Sequence, residues 1–395
     1  MTTYAFPFTS QLPGEPAPEF DLLRTRQPVA RVRLPTGDEA WLVTGYEDNR
    51  VVLSDVRFSR ALTTRPDAPR LQPIPSDPSA LVSMDPPDHT RLRRLVQPAF
   101  GNRRVAALRP VIERKVEDLI DDLVEEGPPA DLVSRLAGPL PIAVICELLG
   151  VPARDRNKIS GWVGVMLSLT RFPPPQVAGA RAELKDYLAS LVAAKRDEPA
   201  DDLLSELIAA RDSGGRLSEE ELVMMGTTVL AGGFLSTASE IALSFLCLFR
   251  HPDQLALLVK CPELLDAAVD ELLRYNALTT GGGLLRIATE DVELGGVRIR
   301  AGEAVLPAIS AANRDPGVFP DAHRFDVTRA ENPHLTFGLG LHYCLGARLA
   351  RSELELALAV TLRKLPRLGP AVPVDRLPVQ DGQLIRGLAE LPVTW

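Results

Sequence analysis

The spacing of apolar residues changes along the chain. Near the start, "VARVRLP" and "EAWLVTGY" alternate apolar and polar positions around a "TGDE" turn, which predicts a β-hairpin. From "HTRLRRLVQPAF" to about Lys364 the period lengthens to that of helices, as in "RPVIERKVEDLIDDLVEEG" and "AELKDYLASLVAAKRD". Ser218 followed by Glu221 in "LSEEEL" forms a capping-box signature ahead of a long apolar run. "CPELLDAAVDELLRY" reads as an amphipathic helix, and "EDVELGGVRIRAGEAVL" as a second hairpin turning at Gly295-Gly296. A last helix, "ARLARSELELALAVTLRKL", precedes a short strand-rich tail. The expected fold is mainly α with small β-sheets. No repeat or Gly/Ser linker divides the chain, so residues 1-395 are expected to form a single domain.

The apolar run from Met224 to Phe249 carries one charge, Glu240, and is long enough to cross a bilayer. It also contains Gly232-Gly233, Ser236, Thr237 and Ser239, and nothing else in the chain resembles a second span. The expectation is therefore a buried central helix and no membrane. The N-terminal stretch has neither a basic region nor an apolar core of the leader type. Four scattered cysteines (Cys146, Cys247, Cys261, Cys344) fit a reducing compartment, and cytoplasmic location is expected. A net charge of -8 argues against nucleic acid as a partner.

The chemistry concentrates in "FGLGLHYCLGARLAR", which begins at Phe337. Gly338, Gly340 and Gly346 permit a tight backbone that aims N–H groups at one sulfur, that of Cys344. The helix that begins just after Cys344 adds its positive end, which lowers a thiol pKa. Such a loop is built to hold a sulfur anion against a metal. Chance would produce this combination of residues in about one chain in 10^6.

With these residues the sequence resembles the cytochromes P-450, the haem-thiolate monooxygenases, in their soluble actinobacterial form. The resemblance spans nearly the whole chain and implies the cytochrome P-450 fold, with haem b (heme b, iron protoporphyrin IX) buried between the central helix and the cysteine loop. By likeness Cys344 is the axial iron ligand, Phe337 shields the sulfur, and His342 sits where the family contacts a haem propionate. His89 and Arg93 in "MDPPDHTRLRRLVQPAF", and Arg286 in "GGGLLRIAT", match the family's other propionate contacts. Glu271 and Arg274 of "ELLR", with Arg324 as third member, match a structural ion network.

Counting back from "RHP" aligns the family's oxygen-activating motif with Gly232 to Thr237. Gly232 and Gly233 supply the small residues; Ser236, followed by Thr237, supplies the alcohol of proton delivery. Leu235 stands where relatives carry an acid. That absence favours chemistry that starts by hydrogen abstraction from N–H or O–H and ends in coupling.

Several stretches, among them "GGFLSTAS" and "GGGLLRIATEDVELGG", are similar to the cyclodipeptide-tailoring branch typified by mycocyclosin synthase. That likeness implies oxidative C–C or C–N coupling of an aromatic 2,5-diketopiperazine. Hydroxylation or epoxidation of a terpene, polyketide or fatty acid is the alternative, and a non-catalytic haem gas sensor a third. The substrate wall is expected from Val82, Phe234, Leu235, Ser236, Gly282, Gly283, Leu284, Leu384 and Ile385. The glycines Gly281–Gly283 either leave room for a bulky ring or simply form a turn. "WVGVMLSLTRFPPP" and "SALVSM" are expected to form a lid. The resemblance implies O2 as oxidant and a ferredoxin with its ferredoxin reductase as electron source; no flavin or nicotinamide motif is present, so those electrons are expected from separate chains. Arg91, Arg94, Arg348 and Arg351 are either the docking face for that ferredoxin or ordinary surface charge.

Overall fold

The computed structural model describes residues 2–10, 12–214, 217–280 and 282–395. Helices dominate. Those that frame the site are α1 (Asp88–Val96), α2 (Asn102–Glu126), α3 (Pro139–Leu149), α4 (Glu219–Gly232), α5 (Leu235–Arg250), α6 (Leu265–Tyr275) and α7 (Ala347–Lys364). Their apolar stripes meet in one large buried cluster, in which α7 lies along α2 and α5 crosses both α3 and α7.

The predicted capping box is present. Ser218 Oγ accepts from Glu221 N (3.1 Å) and the Glu221 carboxylate accepts from Ser218 N (2.7 Å), which satisfies two N–H groups that the first turn of α4 would otherwise leave unpaired. Within Glu219–Arg250, 61% of the most apolar window is buried, as expected of a core helix.

The central helix is not continuous, however. It breaks at Gly233-Phe234, where Gly233 N reaches back only to Leu230 O at 3.4 Å and Phe234 leaves helical geometry at φ -134°. A side chain on Gly233 would stand 2.5 Å from Ile145 Cγ1 of α3, so glycine permits the close packing at the break.

Both hairpins form. Val29–Arg33 pairs antiparallel with Glu39–Val43, and Val292–Leu294 with Val297–Ile299. Gly295 and Gly296 take φ of 54° and 75°, the pair of left-handed residues that a two-residue hairpin turn requires. A six-stranded sheet runs in the spatial order Thr3–Ala5, Val29–Arg33, Glu39–Val43, Ala304–Pro307, Arg286–Ala288, Phe58–Ser59. In it Arg286 lies opposite Val305, and Ser59 opposite Ile287. The sheet thereby fixes Arg286 and the residue after Ser59 at one edge of the site.

The Glu271–Arg274 pair is a structural hub. Arg274 Nε and Nη2 donate to the two oxygens of Glu271 at 2.8 Å, and both side chains are fully buried. Arg274 also donates to Asn313 O, Ala322 O and Arg324 O. The expected third member is corrected. The Arg324 side chain is 64% exposed and sits 3.8 Å from Asp326, contributing only its carbonyl. Arg329 takes the place instead, donating from Nε to Glu271 Oε2 at 3.0 Å, and Asn332 Nδ2 and Asp326 N complete the carboxylate's partners. A buried carboxylate met by five donors is stable; one deprived of a donor is not.

Candidate active site

The cysteine loop is folded as its glycines require. Gly338 and Gly340 both take φ of +72°. A Cβ on Gly340 would lie 2.9 Å from Ser54 Cα, so this position excludes any side chain. Cys344 N donates to Phe337 O (2.8 Å) and Gly338 N to Leu335 O (2.8 Å), closing the turn. The Phe337 ring stands beside His334 and Tyr343.

Cys344 is open to an interior surface yet deep in the protein. Burial pushes its thiol up from the usual range, while N–H groups of Gly346 and Ala347 and the nearby Arg93 pull it back down. These are the groups that favour the anion, and α7 points its positive end at the same sulfur. Arg93 also donates to Tyr343 O at 2.6 Å, tying α1 to the loop.

Above the loop five cationic or imidazole groups converge. The His89 and His342 rings lie 4.4 Å apart. Burial, reinforced by His89, Arg286, Arg60 and Arg93, holds the His342 imidazole down to about 3. Burial lowers His89 as well, with Arg93 adding to it. Arg286 falls to about 10 for the same first reason. His89 Nδ1 and Arg286 Nε are buried without a hydrogen-bond partner. Unpaired buried cations are costly, so this cluster is preorganised for a ligand bearing more than one negative charge. Haem b, with an iron for the sulfur and two carboxylates for the cations, fits these residues.

Across from the sulfur, the break between α4 and α5 leaves Gly232 exposed to the interior and Gly233, Leu235 and Ser236 half-buried. Thr237 is buried. Phe234 is corrected: at 2% exposure its ring packs in the helical core and does not line the chamber. Glu240, the nearest carboxylate along α5, is buried; its Oε1 accepts from Asn276 (2.8 Å) and Ser244 (3.3 Å), and burial pushes it up to about 7. It does not replace the missing acid.

The remaining wall residues assemble from distant segments. Thr279 bridges Ile385, and Thr280 N donates to Leu384 O at 3.0 Å. Leu284 and Val82 are exposed at 42% and 41%, and Leu384 and Ile385 are half-buried. A Cβ on Gly282 would meet Leu306 Cδ1 at 2.9 Å, and Gly283 N donates to Pro307 O at 2.7 Å. These two glycines therefore serve close backbone approach, not spare room; Gly281 lies outside the described residues. The segment Leu169–Arg171 donates three backbone N–H groups toward Gly382 O, and Gln383 Nε2 reaches Gly164 O, which fastens the expected lid to the chamber.

Of the four surface arginines, two are committed to ion pairs. Arg91 pairs with Glu221 and Asp88, and Arg351 with Asp270 and Asp266. Arg94 and Arg348 are exposed.

A thiolate-competent cysteine opposite an opened helix, with a cationic rim awaiting carboxylates, defines the class: a haem-thiolate oxygenase. Comparison with known proteins gives the family. The Cytochrome P-450 family model matches residues 169–368. Nocardicin C N-oxygenase of Nocardia uniformis subsp. tsuyamanensis is 47% identical over 394 residues, covering 100% of this chain and 99% of the relative. The solved structure of HinD with NMFT and NO superposes with a TM-score of 0.96 at 47% identity, covering 100% of both chains. A cytochrome P-450 with biaryl coupling reactivity follows at 0.95 and 39%, again covering 100% of both. The chain belongs to the cytochrome P-450 family and is a monooxygenase whose cofactor is haem b.

Proposed function

We propose that this enzyme oxidises an aromatic, amide-bearing natural-product intermediate, with a Trp- or Tyr-containing 2,5-diketopiperazine as the favoured substrate and coupling as the outcome. The carrying observation is Leu235 at the acid position, with Ser236 beside it on the open face of α5 and no carboxylate there. When bound, the haem supplies O2 reduction and hydrogen abstraction. The protein does the rest. Gly346 and Ala347 N–H groups favour the sulfur anion; Arg93, Arg286, His89 and His342 would hold the haem carboxylates, and Ser236 would hold water at the open face. A hydroxyl backed by no acid delivers protons less effectively than a carboxylate relay, which favours substrates that give up hydrogen from their own N–H or O–H.

In a coupling turnover two substrate X–H bonds break and one bond forms between the two centres. O2 takes up those two hydrogens, two protons and two electrons, leaving two waters. We propose that the electrons arrive from a ferredoxin docked beside Arg94 and Arg348. Support comes from the activities of two similar proteins, oxygenation at nitrogen and biaryl coupling.

The test is a titration of cyclo-dipeptides containing Trp or Tyr, followed by turnover with a ferredoxin system and mass spectrometry. A Soret shift and a product lighter by two hydrogens are expected. A product heavier by one oxygen assigns hydroxylation, and the absence of any shift with aromatic diketopiperazines removes the substrate class.

A further inference from the structure

Arg60 stands in the cluster above the loop but has been given no partner of its own there, and it is among the most deeply buried charged groups, 4% exposed. The Phe58–Ser59 strand places it, since Ser59 pairs with Ile287 and so brings the next residue beside Arg286. Its Nε donates to Val82 O at 2.8 Å, and its Nη1 donates to Leu285 O. Val82 belongs to the expected lid segment, and Leu285, buried, directly follows Leu284 of the expected chamber wall.

Among the described residues no carboxylate hydrogen-bonds to this guanidinium. The nearest, Asp85, is engaged by Arg60 N (3.0 Å), Ala61 N (3.3 Å) and Ser59 Oγ. Among the described residues Nη2 donates to no partner. Burial, with Arg286 adding to it, holds Arg60 down to about 9, and its charge bears on His342 together with that of Arg286. A guanidinium so enclosed and without an anion is costly unless a ligand brings one.

We propose that Arg60 is a further carboxylate-binding residue of the cofactor cradle, offering Nη2 to a haem propionate while its other donors hold the lid at Val82 and the wall at Leu285. One side chain then joins cofactor, lid and chamber. The inference rests on the haem assignment. A substrate carboxylate is the other source of the same chemistry, and the test separates the two.

Full-chain apoprotein is titrated with hemin and with hemin dimethyl ester, which lacks free carboxylates, and hemin loss is timed against excess apomyoglobin. Arg60→Gln is expected to weaken hemin binding roughly 10- to 100-fold, the range of one charge-assisted hydrogen bond, while the diester changes by less than about two-fold. Arg60→Lys retains the charge and is expected to recover part of the loss, with the circular-dichroism melt of both variants controlling for folding. Equal losses for hemin and diester overturn the proposal, because the residue then acts on the fold alone. Unchanged hemin binding, with weakened Soret titrations only for ligands carrying a free carboxylate, also overturns it and assigns the guanidinium to substrate. Wild-type protein that binds hemin and diester equally contradicts the cradle formed by His89, Arg93 and Arg286, a failure distinct from that of Arg60.

Discussion

Replacing Arg329 with Gln tests the ion network where sequence and structure disagree. Arg329 is 11% exposed at its side chain and donates to a Glu271 carboxylate that is fully buried. Removing it deprives that carboxylate of one charged donor, and Arg274, Asn332 and Asp326 N remain. The loss of a hydrogen bond to a charged group costs about 1.5–3 kcal/mol, less than the 3–5 of a wholly unpaired buried charge. Arg324→Gln removes an exposed pair 3.8 Å from Asp326, worth about 0–0.5 kcal/mol.

With an unfolding entropy of about 2.1 cal/mol/K per residue, a chain of 395 residues loses roughly 2–4 °C in Tm for the first change and under about 1 °C for the second. The assay is the thermal midpoint of the haem-loaded protein, followed by circular dichroism and by the Soret band. In a Glu271→Gln background the Arg329 effect is expected to shrink, since its charged partner is gone. Equal destabilisation by Arg329→Gln and Arg324→Gln, or a larger effect at Arg324, refutes the reasoning.

Gly340→Ala combines a φ of +72° with a Cβ 2.9 Å from Ser54 Cα. It is expected to cost about 2–4 kcal/mol and to lower the fraction of protein giving the thiolate carbonyl spectrum. Glu240 is pushed up to about 7 in the fold against an ordinary 4.5, so the folded state binds its proton more tightly than the unfolded one. Its contribution of about 3 kcal/mol is present below about pH 4.5 and lost as pH rises through 7; Glu240→Gln is expected to abolish that slope in urea melts and to raise stability at pH 8. Ser236→Ala is expected to slow turnover by less than about ten-fold, because no carboxylate stands behind the hydroxyl; a loss of a hundred-fold or more would identify it as a full general acid.

Local chemistry was legible in the sequence. Both hairpins, the Ser218–Glu221 box and the cysteine loop depend on residues within a few positions of one another. Glu271 and Arg274 were equally accessible, being one helical turn apart on α6. What escaped depends on the chain's return from afar. Nothing in "DAHRFDVTRAEN" says which arginine turns inward, and the choice of Arg329 over Arg324 is made by the path of the loop around Glu271. Phe234 was misplaced because the break at Gly233 resets the helical phase, a consequence of Ile145 packing 88 residues earlier (233 − 145). Arg60 went unnoticed because its partners are backbone carbonyls 22 and 225 residues away, which leave no mark in composition or spacing.

The central claim is that Cys344 binds haem iron as an anion. The carbonyl difference spectrum of the reduced protein addresses it directly. The strongly red-shifted band that a sulfur anion opposite carbon monoxide produces is expected in the native protein and absent in Cys344→Ser. A band at the position of histidine-ligated haem, or an unchanged spectrum in Cys344→Ser, would contradict the account.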